Sequence, residues 1–490
     1  MKIRPLVSFL TLSAALCISA ETRTITLEEA IADARRGSVE AAVALNELKA
    51  AYWQYRTFRA DLLPEVNFQA TLPAYRKNYS TYQLDDGSYT FVRNNLLQMS
   101  GAVSVEQNIW LTGGTLSLTT SLDFLKQLDS GGFDRFMSVP VALTLNQPIF
   151  GTNHTRWNRR IEPVRYTEAK AAFVSATEQV AMRAVDYFFA LLMAQENLAA
   201  AEQNHANSFK LYEVAQAKRR MGQISENDLL QLELNLLTAR SVLTDSESEC
   251  RAAMFTLRSF LGLDGDTELV PVLPDHIPEA DVAYDDVLQR ALERNSFASN
   301  IRRRQLEADY EVAKAKGDMR QISLFAQIGY TGTSDRLAGA YNPLKDNQVV
   351  EVGFKIPLLD WGKRRGKVKV AQSNREVVQS RLRQEEMNFR QDIFLLVERF
   401  NNQKQQLAIA TRSDTIAQQR YSTNVETFLI GKISTLDLND SQSRKDTARR
   451  DYISQLFQYW YYYYQLRSLT LWDYADGKGI DADIEAIVRK

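Results

Sequence analysis

The feature that most constrains this chain is a duplication. Pro148 and Pro357, Tyr212 and Tyr421, Gly222 and Gly431, Ser225 and Ser434, Asp228 and Asp437, and Arg240 and Arg449 all stand 209 positions apart. Upstream, Ile31 and Leu288, Val66 and Ser323, and Phe68 and Phe325 stand 257 apart. Matches kept in order along the chain mean that one supersecondary plan occurs twice, so both copies must fold by the same rules. The two offsets differ by 48 residues, which places extra sequence inside the first copy, roughly 69–147, with a hairpin around Gly113-Gly114. The first copy is read as 21–263 and the second as 284–470. Between them runs a linker, 264–283, punctuated by Pro271, Pro274 and Pro278, and a tail, 471–490, follows.

Most of each copy is helix. No proline lies between Pro163 and Pro271, and Gly222 is the only glycine between Gly151 and Gly262. The second copy has no proline after Pro357, and Gly431 is the only glycine between Gly366 and Gly477. An unbroken run from about 153 to 220 makes a helix about 100 Å long at 1.5 Å per residue, and 225–261 one of about 55 Å. Such helices need long partners, and Leu229, Leu232, Leu236 and Leu243 supply a seam at three-and-four spacing. Met221-Gly222-Gln223-Ile224-Ser225 and Ile430-Gly431-Lys432-Ile433-Ser434 are matching turns. Each has a glycine to end one helix and a serine to cap the next, with Asp228 or Asp437 three positions on.

The remainder alternates with period two. Leu116, Leu118, Leu122 and Phe124 alternate with Thr115, Ser117, Thr119, Ser121 and Asp123. Val139, Val141, Leu143 and Leu145 alternate with Pro140, Ala142, Thr144 and Asn146, and Val350, Val352, Phe354 and Ile356 with Glu351, Gly353 and Lys355. Val66–Ala74, Ala102–Ile109 and Leu324–Tyr330 follow less strictly. One apolar and one polar face suits a strand between lipid and a wet lumen, and equally a soluble sheet packed on one side.

The first residues read as an address. Lys2 and Arg4 precede an apolar stretch, Leu6–Ile18, and small residues end it at Ser19-Ala20, the pattern of a secretory signal peptide over 1–20. Leu16 before Cys17 is too large for the usual lipid-attachment pattern. No later segment reaches the roughly 18 apolar residues of a spanning helix. Two cysteines give no disulfide framework, and His154, His205 and His276 are too scattered for a metal site. A formal charge of −1 favours no nucleic-acid partner.

In order and in local pieces the sequence resembles the TolC family of bacterial outer-membrane efflux proteins. The pieces are Leu27-Glu28-Glu29-Ala30, Leu63-Pro64, Gln147-Pro148-Ile149-Phe150, Phe260-Leu261-Gly262-Leu263, Ile356-Pro357-Leu358-Leu359 and Leu466-Arg467-Ser468-Leu469-Thr470, together with the two tips. The resemblance implies a mainly α chain with a transmembrane β-barrel, assembled as a homotrimeric α/β-barrel duct in outer-membrane lipid and reaching into the periplasm. It implies docking with a periplasmic adaptor protein and a proton-driven or ATP-driven inner-membrane pump, no cofactor and no catalysis. Members usually supply four strands per subunit, so the extra hairpin either widens the barrel or forms an appendage at its rim. Aligned on the tip glycine, the family's periplasmic gate falls on Asp437 and Asp440, a ring of carboxylates attractive to cations. A plain capping role is the competing reading of Asp437, and the family's basic latch is replaced here by Ile433. The adaptor-docking tips would involve Arg219, Gly222, Ser225, Asp228, Gly431, Lys432 and Ser434. The aromatic run Tyr459–Tyr464 fits helix packing better than a membrane belt.

Three functions compete on the sequence: efflux of drugs, toxic compounds or metal ions; type I protein secretion through the same kind of duct; and a soluble periplasmic coiled-coil scaffold. An enzyme fits worst. Gly431-Lys432 lacks the upstream glycines of a phosphate loop.

Overall fold

The computed structural model describes residues 22–128, 132–263, 267–274, 276–278, 280–319, 321–355, 359–429, 432–433 and 435–489. The leader assigned to 1–20, Ile356-Pro357-Leu358, and the tip residues Gly431 and Ser434 lie outside them.

The duplication is written into helix lengths. α1 (Leu27–Gly37) and α5 (Tyr284–Arg294) have 11 residues, and α2 (Val39–Ala60) and α6 (Ser296–Gly317) have 22. α3 (His154–Arg220) and α7 (Lys363–Leu429) have 67, and α4 (Glu226–Leu261) and α8 (Thr435–Thr470) have 36. Local chemistry sets the ends. Thr26 accepts from the Glu29 amide while Glu29 returns a carboxylate to the Thr26 amide, a capping box at the start of α1. At the end of α4, Gly262 takes the left-handed backbone (φ 69), a conformation open to glycine at little cost. Among the described residues no helix is long and apolar enough to cross a membrane.

The chain divides into two compact units. The helical unit comprises the described parts of Met1–Asn46, Phe173–Ala291 and Asp392–Ala482. Its core repeats as the sequence does: Ala184, Phe188 and Leu191 of α3 are buried at the same steps as Ile393, Val397 and Phe400 of α7, each pair 209 apart. Ala30 and Ala34 of α1 likewise match Val287 and Ala291 of α5 at 257. Full burial of a leucine or phenylalanine contributes about 1.5–3 kcal/mol, which makes these paired layers the main source of cohesion. A buried carboxylate, Glu178, accepts from Arg35 at 2.5 Å and from Arg467 Nε at 2.8 Å, and Arg467 also pairs with Asp473. That network stitches α1, α3, α8 and the tail. The aromatic run of α8 lies in this core: Tyr459 donates to the Pro278 carbonyl at 2.5 Å, and Tyr463 to Asp473 at 2.6 Å. Burial pushes the Tyr464 hydroxyl up to about 12. A short parallel ladder of β1 (Thr22–Ile25) and β6 (Glu268–Pro271) ties the start of the first copy to the linker.

The sheet unit comprises Glu47–Ala172, Leu292–Gln391 and the described part of Asp483–Lys490. Six strands form one antiparallel sheet in the order β2-β3-β4-β5-β7-β8. They are β2 (Glu65–Gln83), β3 (Tyr89–Ile109), β4 (Gly114–Gln127), β5 (Asp134–Pro148), β7 (Gln321–Ser334) and β8 (Lys345–Lys355). The offsets equate β2 with β7 and β5 with β8, so β3 and β4, joined through Gly113, lie within the 48 inserted residues.

Two expectations change. The strand expected from Val66 to Ala74 runs on to Gln83, and its partner begins at Tyr89, so Tyr75–Gly101 is largely strand that alternation did not reveal. And Val139 does not share a face with Val141. The ladder slips between Ser138 and Val141, at Pro140, which has no amide to donate, and the bulge turns Val139 to the face of Ala142.

Candidate functional site

In an antiparallel ladder, paired residues share a face, so the register assigns every side chain. On one face lie Val66 and Phe68 of β2, Val103 and Val105 of β3, Leu118 and Leu122 of β4, Leu143 and Leu145 of β5, Ile328 and Tyr330 of β7, and Val350 and Val352 of β8. On the other lie Asn67, Ser104, Ser117, Thr144, Gln327 and Glu351. The apolar face is largely exposed, Phe68 being 73% exposed and Val350 76%, save where the turn Ala338–Tyr341 meets Ser138. Along β4 the apolar positions run from Leu116 to Phe124, about 26 Å of strand at 3.3 Å per residue. Tilted about 40° as in a barrel, that length spans about 20 Å of height, most of the apolar band of about 25 Å that lipid demands.

The helix-side ends of the strands carry exposed apolar residues in three junctions: Leu111 after β3, Ile149 and Phe150 after β5, Leu359 and Trp361 after β8. Trp361 is 90% exposed and holds a left-handed backbone (φ 54), an arrangement costing about 1–3 kcal/mol for a non-glycine residue. The Arg159 guanidinium stacks 3.8 Å from the Trp110 ring centre, and Asn153 donates to the Trp110 carbonyl at 2.8 Å. Basic residues crowd the first turns of the following helices, Arg156, Arg159 and Arg160 in α3 and Lys363, Arg364, Arg365 and Lys367 in α7. Aromatic and basic side chains together mark a border between apolar and aqueous surroundings.

At the first helical tip, Gly222 has φ 70; its amide donates to the Arg219 carbonyl at 3.0 Å, and the Gln223 amide to the Lys218 carbonyl at 2.9 Å. This is a Schellman end, and the left-handed residue it needs is the glycine. Ser225 then caps α4: its Oγ accepts from the Asp228 amide at 3.1 Å, and Asp228 accepts from the Ser225 amide and Oγ at 3.1 and 2.7 Å. Those bonds hold the exposed Asp228 carboxyl below the usual aspartate range. Arg219 reaches Glu226 at 3.6 Å across the turn. In the second tip the Lys432 amide donates to the Thr427 carbonyl at 3.1 Å, the same bond 209 residues on.

Asp437 lies exposed in the first turn of α8, and Asp440 follows on the same side of the helix. Asp440 accepts from Arg444 Nε at 2.9 and 3.0 Å and from Arg420 Nη2 of α7 at 3.1 Å. Arg444 foremost, and Arg420 after it, keep its carboxyl below the usual aspartate range. Asp440 is therefore a clamp between α7 and α8 with its charge compensated. Arg420, twenty residues away, had no sequence signal beyond its sign. Among the described residues, no three acidic, histidine or cysteine side chains gather as a metal site.

A sheet with one uncovered apolar face and one polar face, joined to paired helical hairpins, defines a membrane-channel subunit. A family model described as outer membrane efflux protein matches residues 30–263 and 287–470, and the chain belongs to that family. The family is one of channel proteins rather than enzymes, and its place is the outer membrane, with extension into the periplasm. Solved structures share the fold. The CmeC outer membrane channel of Campylobacter jejuni is 15% identical with a TM-score of 0.66, over 94% of this chain and 88% of that one. VceC of Vibrio cholerae is 13% identical with a TM-score of 0.60, over 93% and 97%. The open state of MtrE of Neisseria gonorrhoeae is 14% identical with a TM-score of 0.55, over 94% and 90%. No curated protein matches the sequence.

Proposed function

We propose that the chain is the outer-membrane channel of a tripartite efflux system. As a homotrimer it would pass small molecules (drugs, toxic compounds or metal ions) from an inner-membrane pump, through a periplasmic adaptor, to the outside. The observation that carries this reading is the sheet. Its apolar face runs across all six strands and is largely exposed, its opposite face is mostly polar, and six strands cannot close a pore alone. Copies must complete it. A stripe on α4, Leu230, Leu234 and Leu237, each 57% exposed, supports assembly in the helical unit too. Arg219, on a Schellman end, and Lys432 are the proposed adaptor-docking groups, with Asp437 and Asp440 as the proposed periplasmic gate.

The test is fractionation of the native cells followed by extraction in mild detergent and sizing. Recovery with the outer membrane as a heat-sensitive trimer, and drug or metal sensitivity on deletion, is expected. Loss of a secreted protein without any change in sensitivity would transfer the duct to type I secretion. Recovery in the soluble periplasm would overturn the channel.

A further inference from the structure

We infer that the pore wall takes six strands from each copy, β2 of one copy pairing with β8 of the next, so that three copies close a barrel of 18 strands. This rests on the trimeric duct proposed above and settles the part played by the inserted strands.

The inserted pair β3 and β4 is wall in every respect the register can test. β3 pairs with β2 on one side and, from Leu96 to Ile109, with all of β4 on the other. Val103 and Val105 continue the apolar face from Phe68 and Val66 to Leu118, and Ser104 continues the polar face from Asn67 to Thr119. A rim appendage would have no reason to carry a lipid-height apolar band in line with its neighbours. The open edges are β2 and β8. Within lipid an open edge leaves each outward amide and carbonyl without a partner, at several kcal/mol apiece, so closure is compulsory.

The two edges fit each other. Six is even, so β2 and β8 run in opposite directions and meet antiparallel, like every other pair in the sheet. Both place even-numbered residues on the apolar face near the helix end, Val66 and Phe68 on β2 and Val350 and Val352 on β8. Antiparallel partners share a face, so Asn67 and Gln69 meet Glu351 and Gly353 on the polar side. The slip in β2, between Thr71 and Ala74, comes only after seven uninterrupted residues, Glu65–Thr71, enough to pair across most of the band. With strands 4.8 Å apart and tilted about 40°, 18 strands give a backbone diameter of about 36 Å, against about 24 Å for 12.

The test is electron cryomicroscopy of the full-length protein in detergent. A ring about 36 Å across, with β2 beside the neighbouring β8, is expected. A ring of about 24 Å with β4 beside β8 and the β2–β3 hairpin outside it would overturn the inference and leave the duct standing. No ring at all would overturn both. Disulfide trapping gives an independent reading in a Cys250→Ser background. Asn67→Cys with Glu351→Cys should yield covalent dimers and trimers. Capture of Ser117→Cys by Glu351→Cys instead would place the edge at β4 and refute the six-strand wall.

Discussion

Asp440 shows how far a single residue could be read. The family resemblance, aligned on the tip glycine, marked it together with Asp437 as the proposed gate, and Arg444 one turn on was visible in the sequence. Arg420 was not, because it is brought to Asp440 by the packing of α7 on α8. With both guanidiniums in place the carboxylate links two helices, and its removal would leave two like charges facing each other. Asp440→Ala should therefore raise single-channel conductance in planar bilayers severalfold while leaving thermal melting unchanged, since exposed ion pairs contribute little stability. An unaltered conductance would remove Asp440 from the gate. The pH sign follows from the depressed carboxyl: its interaction is full above the ordinary aspartate value and is lost only as pH falls through the lowered one. Wild-type conductance should then hold level between about pH 5 and 8 and rise only in stronger acid.

At the scale of elements, β4 was legible because its alternation from Leu116 to Phe124 is broken only at Thr120 and spans most of the apolar band. β2 and β3 were half legible. Beyond the slip at Thr71 and Ala74 their residues include Tyr75, Tyr79, Phe91, Lys77 and Arg93 on one face, a mixture with no apolar side to read. The first helical tip was legible, since Gly222 and Ser225 sit where a Schellman end and a cap need them. The face assignment can be checked on adjacent residues of β4. Leu118→Lys, toward lipid, should destabilise the assembled barrel by about 2–4 kcal/mol if it lies near the bilayer midplane. Ser117→Lys, toward the lumen, should leave the heat stability of the oligomer near wild type. Equal losses at the two positions would mean that the faces are misassigned.

For the whole molecule, duplication gives each copy a hydrophobic layer at the same steps, and both layers lie in one helical unit, where Phe189 of α3 and Phe400 of α7 each meet an aromatic ring of α8. What that unit leaves uncovered is the stripe Leu230, Leu234 and Leu237, on the side of α4 away from the half-buried seam of Leu229, Leu232, Leu236 and Leu243. In a trimer a neighbour would cover it. Leu230→Asp with Leu237→Asp should therefore shift the detergent-extracted protein from trimer toward monomer on size-exclusion chromatography, with circular dichroism unchanged. A trimer that survives the double change would place the interface elsewhere.

The sequence by itself determined the duplication, the identity and ends of the long helices, the first tip and the polar–apolar rhythm of most strands. All of these rest on spacing along one chain: periodicity, glycine and proline, and caps within four residues. Only the tertiary structure decided that the inserted strands lie in the same sheet as the rest, that Pro140 turns Val139 to the opposite face, that Glu178 joins Arg35 to Arg467, and that Asp440 is held by Arg420. Each depends on which distant segments lie side by side, and a pattern of types along the chain carries no record of register or of partners on another helix.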